Sequence, residues 1–382
     1  MTKGLDVKRA NNLTTSANAF LVITLALGQP AQADELILGG NQTINNDTDV
    51  STIVIGNAGT GITGGNGNLT VNNGARLTNF DANAPTPPQK INGVEYHYES
   101  SYLGLNSNTA GTATVTGQDT LWDNSGGELH IGHQGQGTLT IEAGGNILSD
   151  QSYIGYTTGS QGTATITGAD SFWDNVNLYI GGSASGAAGQ GELIINDGAT
   201  VSAFDGTIIW STGRLAAQGG VLDGDVTNYG HISPGNLDNP AGVLTITGDL
   251  TLASTSTLAL NIFDPTHYDQ LLIDGNFIIN GLLELDFSNF TPSATETTYD
   301  LIHIGNGIIG AWDNFNLHIS TGFDTSLLSY SIIASNHTGY DQMLRLTIAE
   351  NSIPVPEPAS ILLIGLAGLI MQWQRRRNQS AY

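Results

Sequence analysis

The chain contains no cysteine, which excludes disulfides and thiolate metal sites. That absence leaves the redox compartment open, because 382 residues can bury a core without covalent staples. Basic charge is almost as scarce. Ten Lys and Arg stand against 34 Asp and Glu, for a net charge of -24. Between Asp34 and Val355 the only Lys or Arg residues are Arg76, Lys90, Arg214 and Arg345. A body so poor in positive charge offers no face to phosphates, so nucleic acid is excluded as a partner. Long apolar runs are missing except near the two ends. No helical period of useful length occurs before residue 359. What the chain does have is glycine, 50 residues of it with 11 Pro. Together these fall below the ~25–30% typical of disordered chains, and the glycines recur at intervals.

The N-terminus reads as an export signal. Lys3, Lys8 and Arg9 precede the apolar run Ala19 to Leu27. Ala31 and Ala33 then place small residues at the two positions a signal peptidase reads. Residues 1–33 are therefore expected to be removed, leaving Asp34 as the mature N-terminus. The competing reading is a buried strand or helix.

Self-comparison organises the body. YLGLNSNTAGTATVTGQDTLWDN from Tyr102 and YIGYTTGSQGTATITGADSFWDN from Tyr153 are copies, with Trp122 mapping to Trp173 and Asn124 to Asn175. Half-units of a second kind start at Leu129 and Leu178, and a weaker copy starts at Ile53. A glycine after the first short strand recurs at Gly104, Gly132, Gly155 and Gly181. Each half-unit reads as strand, Gly-rich turn, strand, turn. Ala113 and Val115 share one face of a strand, as do Leu139 and Ile141, Ala164 and Ile166, Leu193 and Ile195, and Leu69 and Val71. A unit of about 25 residues cannot bury that face alone, but stacked units can. The expected fold is all-β: a right-handed parallel β-helix, or solenoid. The segment 81–100 interrupts the pattern with three prolines and reads as a loop leaving the solenoid. Its Tyr96, His97 and Tyr98 are candidates to meet a sugar ring; a tolerated insertion is the plainer reading.

From Leu215 the repeats change character. Strands lengthen, and Leu258, Leu260, Ile262, Leu283, Leu285 and Phe287 take the inner face. VTNYGHISPGN, LTITGDLTL, STLALNI and YDQLLIDGN resemble the C-terminal passenger region of autotransporter (type V secreted) proteins, where such segments are successive β-helix coils. YDLIHIGNGIIGAWDNF (Tyr299 to Phe315) looks like the next element. The likeness runs from Ile53 to about Ile348 and implies fold rather than activity. After Ile348 there is no room for roughly twelve outer-membrane strands of about 10 residues each, so self-export by that route is not expected.

Candidate chemistry is thin. A polysaccharide lyase needs a basic residue beside acidic metal ligands, and none of the four basic residues lies in an Asp-rich cluster. A hydrolase needs convergent carboxylates; the nearest candidates are Asp223 with Asp225 and Asp269 with Asp274. Each sits at a repeat turn, where a solvated Asp capping backbone amides is the simpler reading. His130 and His133 form an HxxH without a third ligand, so no metal site is assigned. Trp122 and Trp173, in the two WDN corners, are either carbohydrate platforms or caps on the coil interior, the second being preferred. No catalytic residue and no cofactor are expected.

The last segment is the most specific. Val355, Pro356, Glu357 and Pro358 precede a short apolar run, Ser360 to Met371, which ends in Trp373 and Arg375, Arg376 and Arg377. The run is shorter than the ~18 residues that would define a transmembrane helix by length alone. An interfacial Trp and cytoplasmic arginines nevertheless fit a membrane anchor with the body outside. This arrangement resembles the PEP-CTERM sorting signal of Gram-negative bacteria. The resemblance implies recognition of Pro-Glu-Pro by an exosortase, transient anchoring in the inner membrane, and an organism that secretes exopolysaccharide. The expected organisation is a signal peptide (1–33), β-solenoid repeats (34–214, with the 81–100 insertion), a passenger-like continuation (215–350) and a sorting and anchor segment (351–382). The expected function is structural or adhesive rather than enzymatic, at the cell surface or in an exopolysaccharide matrix. The alternatives are a polysaccharide-acting β-helix enzyme and a passenger delivered by a separate barrel partner.

Overall fold

The computed structural model describes residues 21–22 and 35–350, apart from 57–64, 80–88, 92–93, 98, 236–240, 292, 294, 311–315 and 320–322. Strand residues alternate between buried and half-exposed, as in Ala110–Thr116, where Gly111, Ala113 and Val115 point inward. One such strand buries a single apolar stripe, so it must stack on copies of itself. Eleven strands do so in parallel along one broad face, from Asn41–Ile44 to Asn316–Ile319. Register is strict through the repeats: Ala113 pairs with Leu139, Leu139 with Ala164, and Ala164 with Leu193. The two remaining faces of each coil merge into one larger sheet. They merge because Leu121–Ile131, Asn146–Ile154 and Phe172–Ile180 each run across a corner. The architecture is an all-β parallel solenoid. The change of repeat style at Leu215 falls inside the strand Gly213–Gln218, which pairs in parallel on both sides. The two styles therefore share one ladder.

One corner of the coil depends on glycine. Gly104, Gly132 and Gly155 have φ of 67°, 76° and 75°, in the left-handed region. A Cβ at any of them would lie 2.2 Å from the carbonyl oxygen of Gln136, Gln161 or Gln190 in the next coil. The recurring glycine is thus required twice over, by its own dihedral and by the coil stacked against it.

The inward pairs expected from alternation are all fully buried, Ala113, Val115, Leu139, Ile141, Leu193 and Ile195 among them. Trp122, Ile147, Trp173 and Val201 form one interior row. The indole of Trp122 donates to Asn79 Oδ1 at 3.1 Å, and that of Trp173 to Ser149 Oγ at 3.1 Å. A buried row of Asn124, Ser149 and Asn175 runs beside it, joined by Ser149 Oγ donating to Asn175 Oδ1 at 3.0 Å. The Trp and Asn of each WDN corner therefore both face the interior.

Both ends of the described solenoid depart from parallel order. Leu21–Val22, inside the expected signal segment, pairs antiparallel with Ile37 and Leu38. At the other end, Thr297–Ile304 pairs antiparallel with Gln342–Ile348, which pairs antiparallel with Leu328–Ala334. Such a hairpin blocks a sheet edge that would otherwise template another strand. Arg345 fastens it by a bidentate pair to Asp300, with Nε to Oδ1 at 2.5 Å and Nη2 to Oδ2 at 2.9 Å.

Candidate functional site

The most elaborate side-chain assembly lies outside the coil interior. In the units SYLG, LHIG, SYIG and LYIG, the residue two before the corner glycine points outward. Parallel register stacks these residues as Tyr102, His130, Tyr153 and Tyr179. Their ring centroids are 4.7, 4.8 and 5.3 Å apart, with interplanar angles of 11°, 23° and 13°. A second column stands edge-on to the first. It consists of His133 and Tyr156, each just after a corner glycine, stacked at 5.0 Å. Stacked and edge-on aromatic pairs each add roughly 0.5–1.5 kcal/mol beyond area burial.

The insertion closes over this ladder. Its hairpin, Gln89–Ile91 with Val94–Tyr96, places Tyr96 in a buried cluster with Val54, Tyr102 and Leu105. The His97 backbone N–H donates to Tyr102 Oη at 2.9 Å. Tyr96 is therefore spent on packing and cannot serve as a sugar platform. His97 remains exposed, and Tyr98 lies outside the described residues.

Beneath the hairpin the histidines are held neutral. His130 is buried, and burial pushes its pKa down against the opposing effect of Glu128. The neutral ring donates from Nε2 to Glu128 Oε2 at 2.9 Å, leaving Nδ1 without a partner among the described residues. That hydrogen bond from His130 holds the Glu128 carboxyl below its usual range. Burial, with His130 close by, takes His133 down to about 3. Burial likewise raises the phenols of Tyr102 and Tyr153. At neutral pH, Glu128 is the one charge within the ladder, and no ring there is poised for proton transfer near pH 7. Among the described residues, no group of three or more His, Asp or Glu is placed to hold a metal ion. The HxxH acts as two rungs of a packed aromatic stack.

The carboxylates singled out for hydrolysis do not converge. Asp223 accepts from the Thr247 hydroxyl, and Asp225 accepts from the Asp249 backbone N–H at 2.8 Å. Asp274 accepts from Tyr340 Oη at 2.7 Å. The first two tie neighbouring coils, and the third ties a coil to the closing hairpin. Asp269 corrects the expectation of a solvated turn: it is 0% exposed. It accepts from Gly242 N, Asn261 N and Asn261 Nδ2, each at 2.8 Å. Burial raises its pKa to about 7 even against those donors. The four basic residues are also occupied, as Arg76–Asp123, Lys90–Glu95, Arg214–Glu192 and Arg345–Asp300 pairs. Trp122 and Trp173 are 0% exposed, which places them inside the coil rather than on a carbohydrate surface.

The solenoid's last strand ends at Ile348, and the proline-rich, apolar and arginine segments follow it. Residues 354–377 match the PEP-CTERM protein-sorting motif. The match spans Pro356 to Pro358, the apolar run, Trp373 and Arg375 to Arg377. A PEP-CTERM motif implies exosortase processing and, with it, an exported and sorted protein. A second likeness, 28% identical over 176 residues and 44% of this chain, is to the uncharacterized lipoprotein YdeK of Escherichia coli (strain K12). The chain covers 12% of that protein's length. Val355 to Pro358, Trp373, the three arginines and the cleavage residues Ala31 and Ala33 lie outside the described residues. No described helix is long and apolar enough to cross a membrane.

The aromatic ladder was the feature sequence reasoning missed. Its signal was present as an aromatic or His two residues before each corner glycine.

Proposed function

We propose that this PEP-CTERM protein is an exported structural or adhesive rod of the cell surface or of an exopolysaccharide matrix. On this reading, signal peptidase cuts after Ala33. The apolar run Ser360 to Met371 then holds the body outside the inner membrane, with Trp373 and Arg375 to Arg377 at the cytoplasmic side. An exosortase acts at Val355–Pro356–Glu357–Pro358. The body is read as a right-handed coil, the hand that parallel crossovers overwhelmingly adopt. The observation that carries the proposal is the sorting motif at 354–377 following directly on a solenoid whose last strand ends at Ile348. The use of Asp223 and Asp225 between coils, and of Asp274 against the closing hairpin, supports a structural role over a hydrolytic one.

Deleting residues 351–382 tests it. The expected outcome is loss of the membrane-bound precursor and of surface or matrix retention, with the body free in the periplasm or medium. Unchanged surface delivery would instead favour a separate barrel partner. New reducing or unsaturated ends after incubation with glycans would make the protein an enzyme.

A further inference from the structure

The turns joining the third face to the broad face are unequal in length. Leu103, Ile131 and Ile154 are in register, as are Gly111, Gly137 and Gly162. Between these fixed points lie residues 104–110, 132–136 and 155–161. The middle turn is two residues shorter than its neighbours. Stacked coils cannot close that gap, because the ladders on either side hold their spacing. The result is a cleft of about 440 Å³ across the rod corner. Ser107 and Asn108 form one wall, Thr158 and Gln161 the other, and Gln134 and Gln136 the floor. The walls belong to coils two inter-strand spacings apart, roughly 10 Å. Asn66 closes one end, its Oδ1 accepting from Ala110 N at 2.9 Å.

The lining is distinctive for what it lacks. None of its residues is charged, in a chain of net charge -24. Hard cations are held most strongly by carboxylates, and the cleft has none. Acidic polymers meet the repulsion of the surrounding body and find no basic group. No aromatic ring lines the cleft, so nothing there stacks a base. Side-chain amides donate and accept from one group, which matches hydroxyls that also do both. The Gln136 and Gln161 side chains are exposed and sit on adjacent rungs of one row with Gln190. We infer that this notch is a binding subsite for a neutral polysaccharide chain, held through the amides of Gln134, Gln136 and Gln161. The inference rests on the matrix reading above and names the glycan class that the rod takes.

The test is affinity electrophoresis of the full chain in mild detergent. Gels contain dextran, laminarin or hydroxyethylcellulose as neutral polymers, or alginate as the acidic one. Retardation is expected with at least one neutral polymer and none with alginate. Replacing all three amides (Q134A/Q136A/Q161A) should weaken binding at least about tenfold, given the usual worth of a hydrogen bond. Gln190→Ala, in the same row but outside the cleft, should bind like the parent. Unchanged melting temperatures of both variants exclude misfolding as the cause. No retardation by any neutral polymer, equal retardation by alginate, or parental binding by the triple variant would each overturn the assignment. The matrix reading fails separately, when the intact chain is found free in the medium instead of in the matrix fraction.

Discussion

Substituting Gly155 by alanine should be far more damaging than the same change at Gly159, four residues away in one turn. Both glycines have positive φ, 75° and 88°, so both variants carry the left-handed penalty of roughly 1–2 kcal/mol. They differ in surroundings. A Cβ at Gly159 meets nothing within 4 Å, whereas at Gly155 it lies 2.2 Å from Gln190 O and 2.5 Å from Gln190 C. Those atoms are backbone, locked into the strand Gln190–Asn196 of the broad face. Relief requires the next coil to move away by about an ångström, breaking parallel hydrogen bonds worth roughly 0.5–1.5 kcal/mol each. Gly155→Ala is therefore expected to cost about 4–5 kcal/mol, in the exceptional range for one substitution, and Gly159→Ala about 1–2 kcal/mol. Urea unfolding followed by tryptophan fluorescence measures both, with Trp173 in the interior of the same coil as the reporter. Equal losses for the two variants would refute the claim that close coil stacking, rather than the dihedral alone, demands the repeated glycine.

The buried carboxyl of Asp269 should leave a pH signature. Its folded pKa is raised to about 7 from an ordinary 3.8, so its favourable contribution is complete below about pH 4 and is lost as pH rises through 7. Asp269→Asn turns an amide donor toward one of the existing N–H groups, costing about 1–3 kcal/mol. The deficit against the parent should be largest at and below about pH 4 and shrink toward pH 8; a constant difference would count against a raised pKa. His133 should show the opposite sign. Its depressed pKa means that stability is present above about 6.5 and falls as pH drops toward 3. His133→Phe keeps the stack on Tyr156, so the hydrogen-exchange protection of the hairpin strands Gln89–Ile91 and Val94–Tyr96, corrected for the intrinsic rate at each pH, should fall less between pH 7 and pH 4 than in the parent. Identical acid responses would remove His133 as the cause.

Alternation and glycine spacing were enough to put Ala113, Val115, Leu139 and Ile141 in one core and to predict a stacked solenoid. Those features are set within a few residues of each position, by the period-2 strand and by the left-handed corner. The sorting tail was equally legible, because its message is an order of short segments rather than a folded shape. Other properties depended on what lies across the coil stack. His130 read only as half of an HxxH with no third ligand until parallel register placed it between Tyr102 and Tyr153. Asp269 looked like a solvated turn until Gly242 and Asn261 were seen to enclose it, and Tyr96 looked free until its hairpin folded onto Tyr102. The chain's own period dictates which way a side chain points. Whether that side chain then meets water, another rung or an overlying hairpin is decided by segments distant in sequence, and only the tertiary structure brings them together.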